Sequence, residues 1–223
     1  MAVLDASIDV DDEFDDGVDA DRRRRIALIA VWLLVGVDAV FVAFEVGTWF
    51  VLRSIDAGRM WRGAGCSVAH PCATVQGEAL TAMVAKAGPA RLAAVAVCIV
   101  ATALLVRMAA SAAGRGAGRR TTARWAGLAL VGALFALGSQ AAALTGLPFT
   151  RFDGTYATTY WFFMASNAAH LAIAVIILFG TWNRARLGHF EVDDGSTLRC
   201  VRILMTWIAC GVCILAIVSS VFA

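Results

Sequence analysis

The sequence has little charge, and its charges are unevenly placed. Only 16% of the 223 residues are charged, against 60% that are hydrophobic, and the mean hydropathy is +0.75. In ordinary soluble domains about a quarter of the residues are charged. The formal net charge of +2 is small and spread along the chain, which disfavours nucleic acid as a partner. The composition therefore predicts a membrane protein.

Residues that bind metals or act as nucleophiles are few and far apart. The three histidines are His70, His170 and His189, and no H-x-x-x-H or C-x-x-C-H motif occurs. We therefore expect no metal, haem or copper bound by this chain. The sequence also contains no P-loop, and no nucleophile lies close to a base, which disfavours the common hydrolase and nucleotide-binding classes.

Long apolar runs fill most of the chain. A hydrocarbon core of about 30 Å requires about 20 residues of helix, and five runs reach that length. The sequence therefore predicts an all-α integral membrane bundle of five transmembrane helices. The predicted spans are 26–52, 90–112, 124–147, 156–182 and 199–222.

The N-terminal segment differs from the spans. Nine of the 17 acidic residues lie in the first 21 positions, and Arg22 to Arg25 follow. Such segments repel themselves and bury little apolar surface. We predict a disordered cytoplasmic tail over 1–25, ending in this arginine cluster, and a transmembrane domain over 26–223.

Arginine and lysine indicate the orientation. Thirteen of the 19 lie towards one side of the predicted bundle, which includes the N-terminus, and six lie towards the other. Because cytoplasmic segments carry the excess of positive charge, we predict a cytoplasmic N-terminus and an external C-terminus. That orientation agrees with an odd number of spans in a multi-pass protein of the cell membrane.

The six cysteines raise the question of redox chemistry. Cys66 and Cys72 lie in the predicted first external loop, where a disulfide can form, and the sequence leaves a disulfide and a pair of free thiols both open. Cys210 and Cys213 form a C-x-x-C deep in the fifth span, where a thiolate is poorly solvated. We interpret these two as small packing residues.

Polar side chains inside the predicted spans are the main candidate site. Asp38 and Glu45 are about two turns apart on nearly the same face of the first span. Asn167 and His170 share a face of the fourth span, and Gln140 lies in the third. Two compatible interpretations remain open: an interhelical hydrogen-bond cluster, or a site built on the carboxylates that handles protons or lipid headgroups.

Two spans resemble cytochrome c oxidase subunit III. In the fourth span, YATTYWFFMASNAAH is similar to the family's Tyr-Gly-Ser-Thr-Phe-Phe and the His-Gly-x-His that follows it. The matching positions are Tyr156, Thr158, Thr159 and His170. In the first span, GVDAVFVAFEVGTWFVLR is similar to the family's Ser-Glu-x-x-x-Phe segment and its Phe-Val-Leu-Arg ending, which places Asp38 at the family's buried Glu. The five-helix layout is similar to the short bacterial form.

The similarity is partial. Asn167 replaces the first His of the family's pair, Ala157 and Ala165 replace glycines, and QAAAL after Ser139 lacks the family's Glu. In the fifth span only Trp207 is similar to the family's signature. The external cysteine loop is not covered.

The resemblance implies a non-catalytic subunit of a haem-copper oxidase in aerobic respiratory electron transport. Such a subunit packs against the catalytic subunit, which holds the haem and copper, and it binds lipid and supports proton uptake. A related form accompanies nitric oxide reductases. By this resemblance Asp38 lies near lipid and the proton-entry side, while Asn167 and His170 hold the fourth span against its neighbours.

Two other classes remain open. One is a membrane thiol-disulfide oxidoreductase resembling vitamin K epoxide reductase, which also has a cysteine pair in its first external loop and a C-x-x-C in a later span. Cys66 and Cys72 are closer together than in that family, and Cys210 and Cys213 lie deeper. The other is a helical membrane protein that shares only the fold of subunit III.

Overall fold

Six helices form the parts of the chain that the structure describes. The computed structural model describes residues 12–55, 89–147, 149, 151, 155–192 and 195–221. The helices are α1 (Asp12–Ser54), α2 (Pro89–Gly114), α3 (Arg119–Thr145), α4 (Thr155–Leu187), α5 (His189–Val192) and α6 (Ser196–Val221). These described ranges contain no strand.

Five of the helices, all except the short α5, are long and apolar enough to cross a membrane. Their outward positions carry large apolar side chains that are more than 60% exposed, among them Leu33, Val37, Phe135 and Ile176. An exposed apolar surface of this extent is typical of a multi-pass membrane protein. The predicted all-α fold with five helices that can span a membrane is confirmed, and apart from the start of α1 the predicted ends lie within five residues of the helix ends.

The first helix begins at Asp12, inside the segment predicted to be disordered. Near the start of its apolar part, Arg25 forms an ion pair with Asp21 one turn earlier, at 2.8 Å, with both side chains more than half exposed. A helix that continues out of a span is already nucleated, and opposite charges four residues apart support it. The acidic composition of this segment indicates that it forms no packed core. Helix α1 extends into the segment nevertheless, because a helix can continue without a packed core.

Four helices form the centre of the bundle, and α1 lies on its outside. Helix α2 contacts α3 and α6, α4 contacts α3 and α6, and α1 contacts α6 and α4. Leu28 of α1 shares a pocket with Ser196 at the start of α6, and Trp49 near the end of α1 shares an apolar cluster with Leu215 near the end of α6. The first and last spanning helices therefore run parallel, as an odd number of spans requires.

Small residues bring α3 close to its neighbours. Its buried apolar positions are Ala126, Ala129, Ala133, Ala136 and Ala143, spaced mostly by three and four residues. Small side chains allow helix backbones to approach in a membrane. At Gly132 a Cβ atom would lie only 2.5 Å from Oγ1 of Thr102 on α2, so a larger residue at this crossing would displace the side chain of Thr102.

Candidate functional site

One face of α1 places apolar and ionisable residues in the same row. The inward positions are Val35, Asp38, Val42, Glu45 and Trp49, spaced by three and four residues, which keeps them on one side of the helix. We call this row the inner face of α1. Because α1 contacts α4 and α6, two carboxyl groups enter the junction of these three helices.

Asp38 connects all three helices of that junction. Its Oδ1 lies 2.9 Å from Nε2 of His170 on α4, and its Oδ2 accepts a hydrogen bond of 2.6 Å from Nε1 of Trp207 on α6. The side chain of Asp38 is 25% exposed and that of His170 is 16% exposed. The cluster is therefore fully bonded but remains partly open to the surroundings of the bundle.

Asp38 and His170 share a proton. Nδ1 of His170 lies 2.8 Å from the carbonyl oxygen of Ser166, and because a carbonyl only accepts, Nδ1 carries a hydrogen. The short contact between Nε2 and Oδ1 then needs a second hydrogen, on either the imidazole or the carboxyl. In both arrangements the pair has no net charge, which reduces the free-energy cost of placing it in a membrane.

Glu45 is placed differently from Asp38. Its side chain is fully buried, and neither carboxylate oxygen has a hydrogen-bond partner among the described residues. The hydroxyl group of Ser166 on α4 is buried nearby and also has no partner at hydrogen-bond geometry in the described ranges. An unpaired buried carboxylate is one of the costliest groups that a membrane helix can carry.

The two amides predicted as site residues do not join the Asp38 cluster by hydrogen bonds. Gln140 of α3 donates from Nε2 to the carbonyl oxygen of Met164 on α4, at 3.0 Å. Asn167 is 1% exposed, and both polar atoms of its amide lack partners within the described part of the chain. The structure thus joins α1 to α4 through His170 rather than through Asn167.

Trp207 and Ser166 belong to this junction but are absent from the site predicted from the sequence. An indole N–H group inside a span needs an acceptor, and Asp38 on the neighbouring helix α1 is a suitable one. The presence of Trp207 inside a predicted span, together with Asp38 in another, could therefore have indicated this contact from the sequence. The role of Ser166 follows only from its carbonyl contact with His170, which no sequence pattern indicates.

Cysteine and transition-metal chemistry gain no site from the described residues. Cys66 and Cys72 lie outside the described ranges. The described cysteines are Cys98, Cys200, Cys210 and Cys213, and no disulfide joins any two of them. Of these, Cys210 is exposed on the outer surface of α6 rather than packed inside the bundle. Within the described ranges, no group of three or more His, Cys, Asp or Glu residues is placed to hold a metal ion.

Comparison with known proteins assigns no family. No family model matches the chain, and no curated protein matches it in sequence. The site is therefore interpreted from its own geometry and from the resemblance of the first and fourth spans described above.

Proposed function

We propose that this chain is a non-catalytic, subunit III-like membrane component of a haem-copper oxidase in the aerobic respiratory chain. One observation carries the proposal. Asp38 falls at the position of the family's buried Glu in the first span, and His170 at the second His of the family's pair in the fourth span; although they are 132 positions apart, they lie 2.9 Å from each other. Two motifs taken from one family are expected to meet if the chain shares that family's fold.

In this proposal the chain stabilises the catalytic subunit and supports proton uptake. Asp38 and His170 hold a proton between them at a partly exposed position. Release of this proton to water at the bundle surface leaves one negative charge on the pair, and uptake of a proton from water makes the pair neutral again. This property suits a group near a proton entrance, and it agrees with the position that the resemblance implies for Asp38.

The proposed location is the cell membrane, with the N-terminus cytoplasmic and the C-terminus external. Arg24, Arg25 and Arg199 line one pocket together with Asp21, where the apolar part of α1 and the helix α6 begin. An excess of arginine is typical of the cytoplasmic side. The proposed partner is the catalytic subunit of a haem-copper oxidase, or alternatively that of a related nitric oxide reductase. The partner, and not this chain, supplies the haem and copper.

Oxygen consumption during extended turnover tests the proposal. Membranes from cells without the chain are compared with membranes from the same cells complemented by the natural chain or by Asp38→Asn. Because catalysis lies in the partner, we expect a nearly normal initial rate that declines faster without the chain. Asp38→Asn, which keeps the shape of the side chain and removes the carboxylate, is expected to give an intermediate lifetime.

A cysteine variant separates this proposal from the thiol-disulfide alternative. Cys213→Ser is expected to restore both the initial rate and the lifetime. An oxidase whose rate and lifetime are unchanged when the chain is removed would contradict the subunit role. Loss of function confined to Cys213→Ser would support thiol-disulfide chemistry instead.

A further inference from the structure

Two contacts between α1 and α4 enclose a short segment of the interface between these helices. At one end of the segment, Asp38 lies 2.9 Å from His170. At the other end, the ring centroids of Trp49 and Phe163 are 5.0 Å apart. Residue numbers rise along α1 and fall along α4 between these two contacts, so the helices are antiparallel. The two contacts thus fix which of the residues between them face each other.

Glu45 and Asn167 face each other in this segment. Glu45 lies four residues before Trp49, and Asn167 lies four residues after Phe163, which in both helices is about 6 Å in the same direction. Residues four apart share a helix face, so both side chains enter the interface from opposite sides. Ser166 lies beside Glu45. We call Glu45, Ser166 and Asn167 the polar group of α1 and α4.

The polar group buries several polar atoms that have no partner. Glu45 is fully buried and Asn167 is 1% exposed. Among the described residues, no hydrogen-bond partner is found for either carboxylate oxygen of Glu45, for the hydroxyl oxygen of Ser166, or for the oxygen and nitrogen of the Asn167 amide. Buried polar atoms are nearly always bonded to protein, to water or to an ion. The concentration of unpaired atoms in one place therefore points to a ligand.

The polar group has the charge and the ligand atoms that suit an alkali-metal cation. Carboxylate, hydroxyl and amide groups supply hard oxygen ligands, which hard cations prefer. One monovalent cation balances the single negative charge of Glu45, whereas a divalent cation would leave a positive charge inside the span. Water molecules alone would supply hydrogen bonds but leave the carboxylate charge unbalanced. The expectation of no bound metal rests on missing histidine and cysteine motifs, which alkali cations do not need.

We propose that Glu45, Ser166 and Asn167 bind a sodium or potassium ion between α1 and α4. The ion neutralises the carboxylate and gives the oxygen atoms of all three side chains a partner. Asp38 and His170 are 25% and 16% exposed, and His170 lies about one helical turn from Ser166, so an ion can enter at that end of the interface. The site needs no partner subunit, and its test is therefore separate from the test of the oxidase role.

Thermal unfolding of the purified full chain in detergent tests the proposal. Sodium chloride or potassium chloride replaces choline chloride at constant ionic strength, because choline is too large for the buried site. We expect a saturable rise of about 5 °C in the melting temperature at ten or more times the dissociation constant. The two salts distinguish sodium from potassium. Equilibrium binding of radioactive sodium, or of radioactive rubidium in place of potassium, is expected to give one ion per chain.

Amide variants test which carboxyl group holds the ion. Glu45→Gln keeps the shape of the side chain and removes the charge, so cation binding is expected to weaken about a hundredfold or more. Asn167→Ala removes one oxygen ligand and is expected to weaken binding about tenfold. The control is Asp21→Asn, which makes the same change from acid to amide at an exposed position of α1 and is expected to keep the natural affinity.

The stability of Glu45→Gln depends on the salt in this proposal. In choline chloride the variant is expected to be more stable than the natural chain, which then carries a buried carboxyl group without a partner. A saturating alkali cation is expected to remove that difference. Equal melting temperatures of the natural chain in all three salts with no bound radioactive ion, as expected if Glu45 is protonated instead, would overturn the proposal. Cation binding that Glu45→Gln leaves unchanged would also overturn it, and Asn167→Ala serves for this comparison if Glu45→Gln does not fold.

Discussion

The two carboxyl groups on the inner face of α1 are seven residues apart and similar in sequence context, yet their surroundings differ. Both oxygens of Asp38 are bonded, to His170 and Trp207, at a partly exposed position. Both oxygens of Glu45 lack partners among the described residues, at a fully buried position. A carboxyl group in a membrane helix can therefore hold helices together or oppose their packing, and its partners decide which.

The largest effect that tests this contrast is expected for Asp38→Ala. The change leaves the ring of His170 and the indole of Trp207 without their acceptor, so we expect a loss of about 2 to 3 kcal/mol in the free energy of unfolding. Denaturant unfolding in detergent measures it. Val37→Ala, on the exposed side of the same helix, is the control, and an equal loss from both variants would show that Asp38 does not hold the junction.

A smaller effect is expected where helices are held by close packing rather than by hydrogen bonds. Gly132→Ala places a methyl group against Thr102, which is fully buried and bonded to the carbonyl oxygen of Cys98, so we expect a loss of about 2 kcal/mol. Gly138→Ala on the same helix meets nothing within 4 Å and is expected to gain about 0.5 to 1 kcal/mol.

The same unfolding experiment includes a rescue of the packing variant. Adding Thr102→Ala to Gly132→Ala removes the obstructing hydroxyl, so the double variant is expected to recover most of the loss. If both glycine variants behaved alike, the close approach of α2 and α3 would not limit packing.

An effect of opposite sign is expected at Glu45. Glu45→Gln keeps the shape of the side chain and removes an ionisable group that has no described partner, so we expect a gain of about 1 kcal/mol in the free energy of unfolding. Asp38→Asn, the same chemical change seven residues earlier, is expected to cause a loss. Losses at both positions would remove the contrast between the two carboxyl groups.

The smallest effect is expected at Asn167. Asn167→Ala removes two buried polar atoms without described partners, but it also leaves a small cavity, and these contributions nearly offset each other. We expect a change of about 0.5 kcal/mol or less in the free energy of unfolding. His170→Ala, one turn later on α4, is expected to lose about 1 kcal/mol or more because it removes the contact with Asp38.

The sequence predicts each helix well and the contacts between helices poorly. Hydropathy predicted five spanning helices. Periodicity predicted that Asp38 and Glu45 share one helix face and that Asn167 and His170 share another. Both predictions depend only on residues that are close together in the sequence. Periodicity identifies a face but not its neighbour, so the contact between Asp38 and Trp207, 169 residues apart, was not predicted. The start of α1 was missed because the composition of residues 12–25 indicates little burial, and a helix that extends beyond a span does not need burial.

The most direct test of the proposed function is gentle detergent purification of the tagged full chain, with a visible absorption spectrum and mass identification of co-purifying proteins. The account predicts haem absorption bands together with a larger multi-span oxidase subunit, and removal of that subunit is expected to remove the haem. A colourless chain that purifies alone, or stoichiometric haem held by the isolated chain, would contradict a non-catalytic role in a haem-copper oxidase.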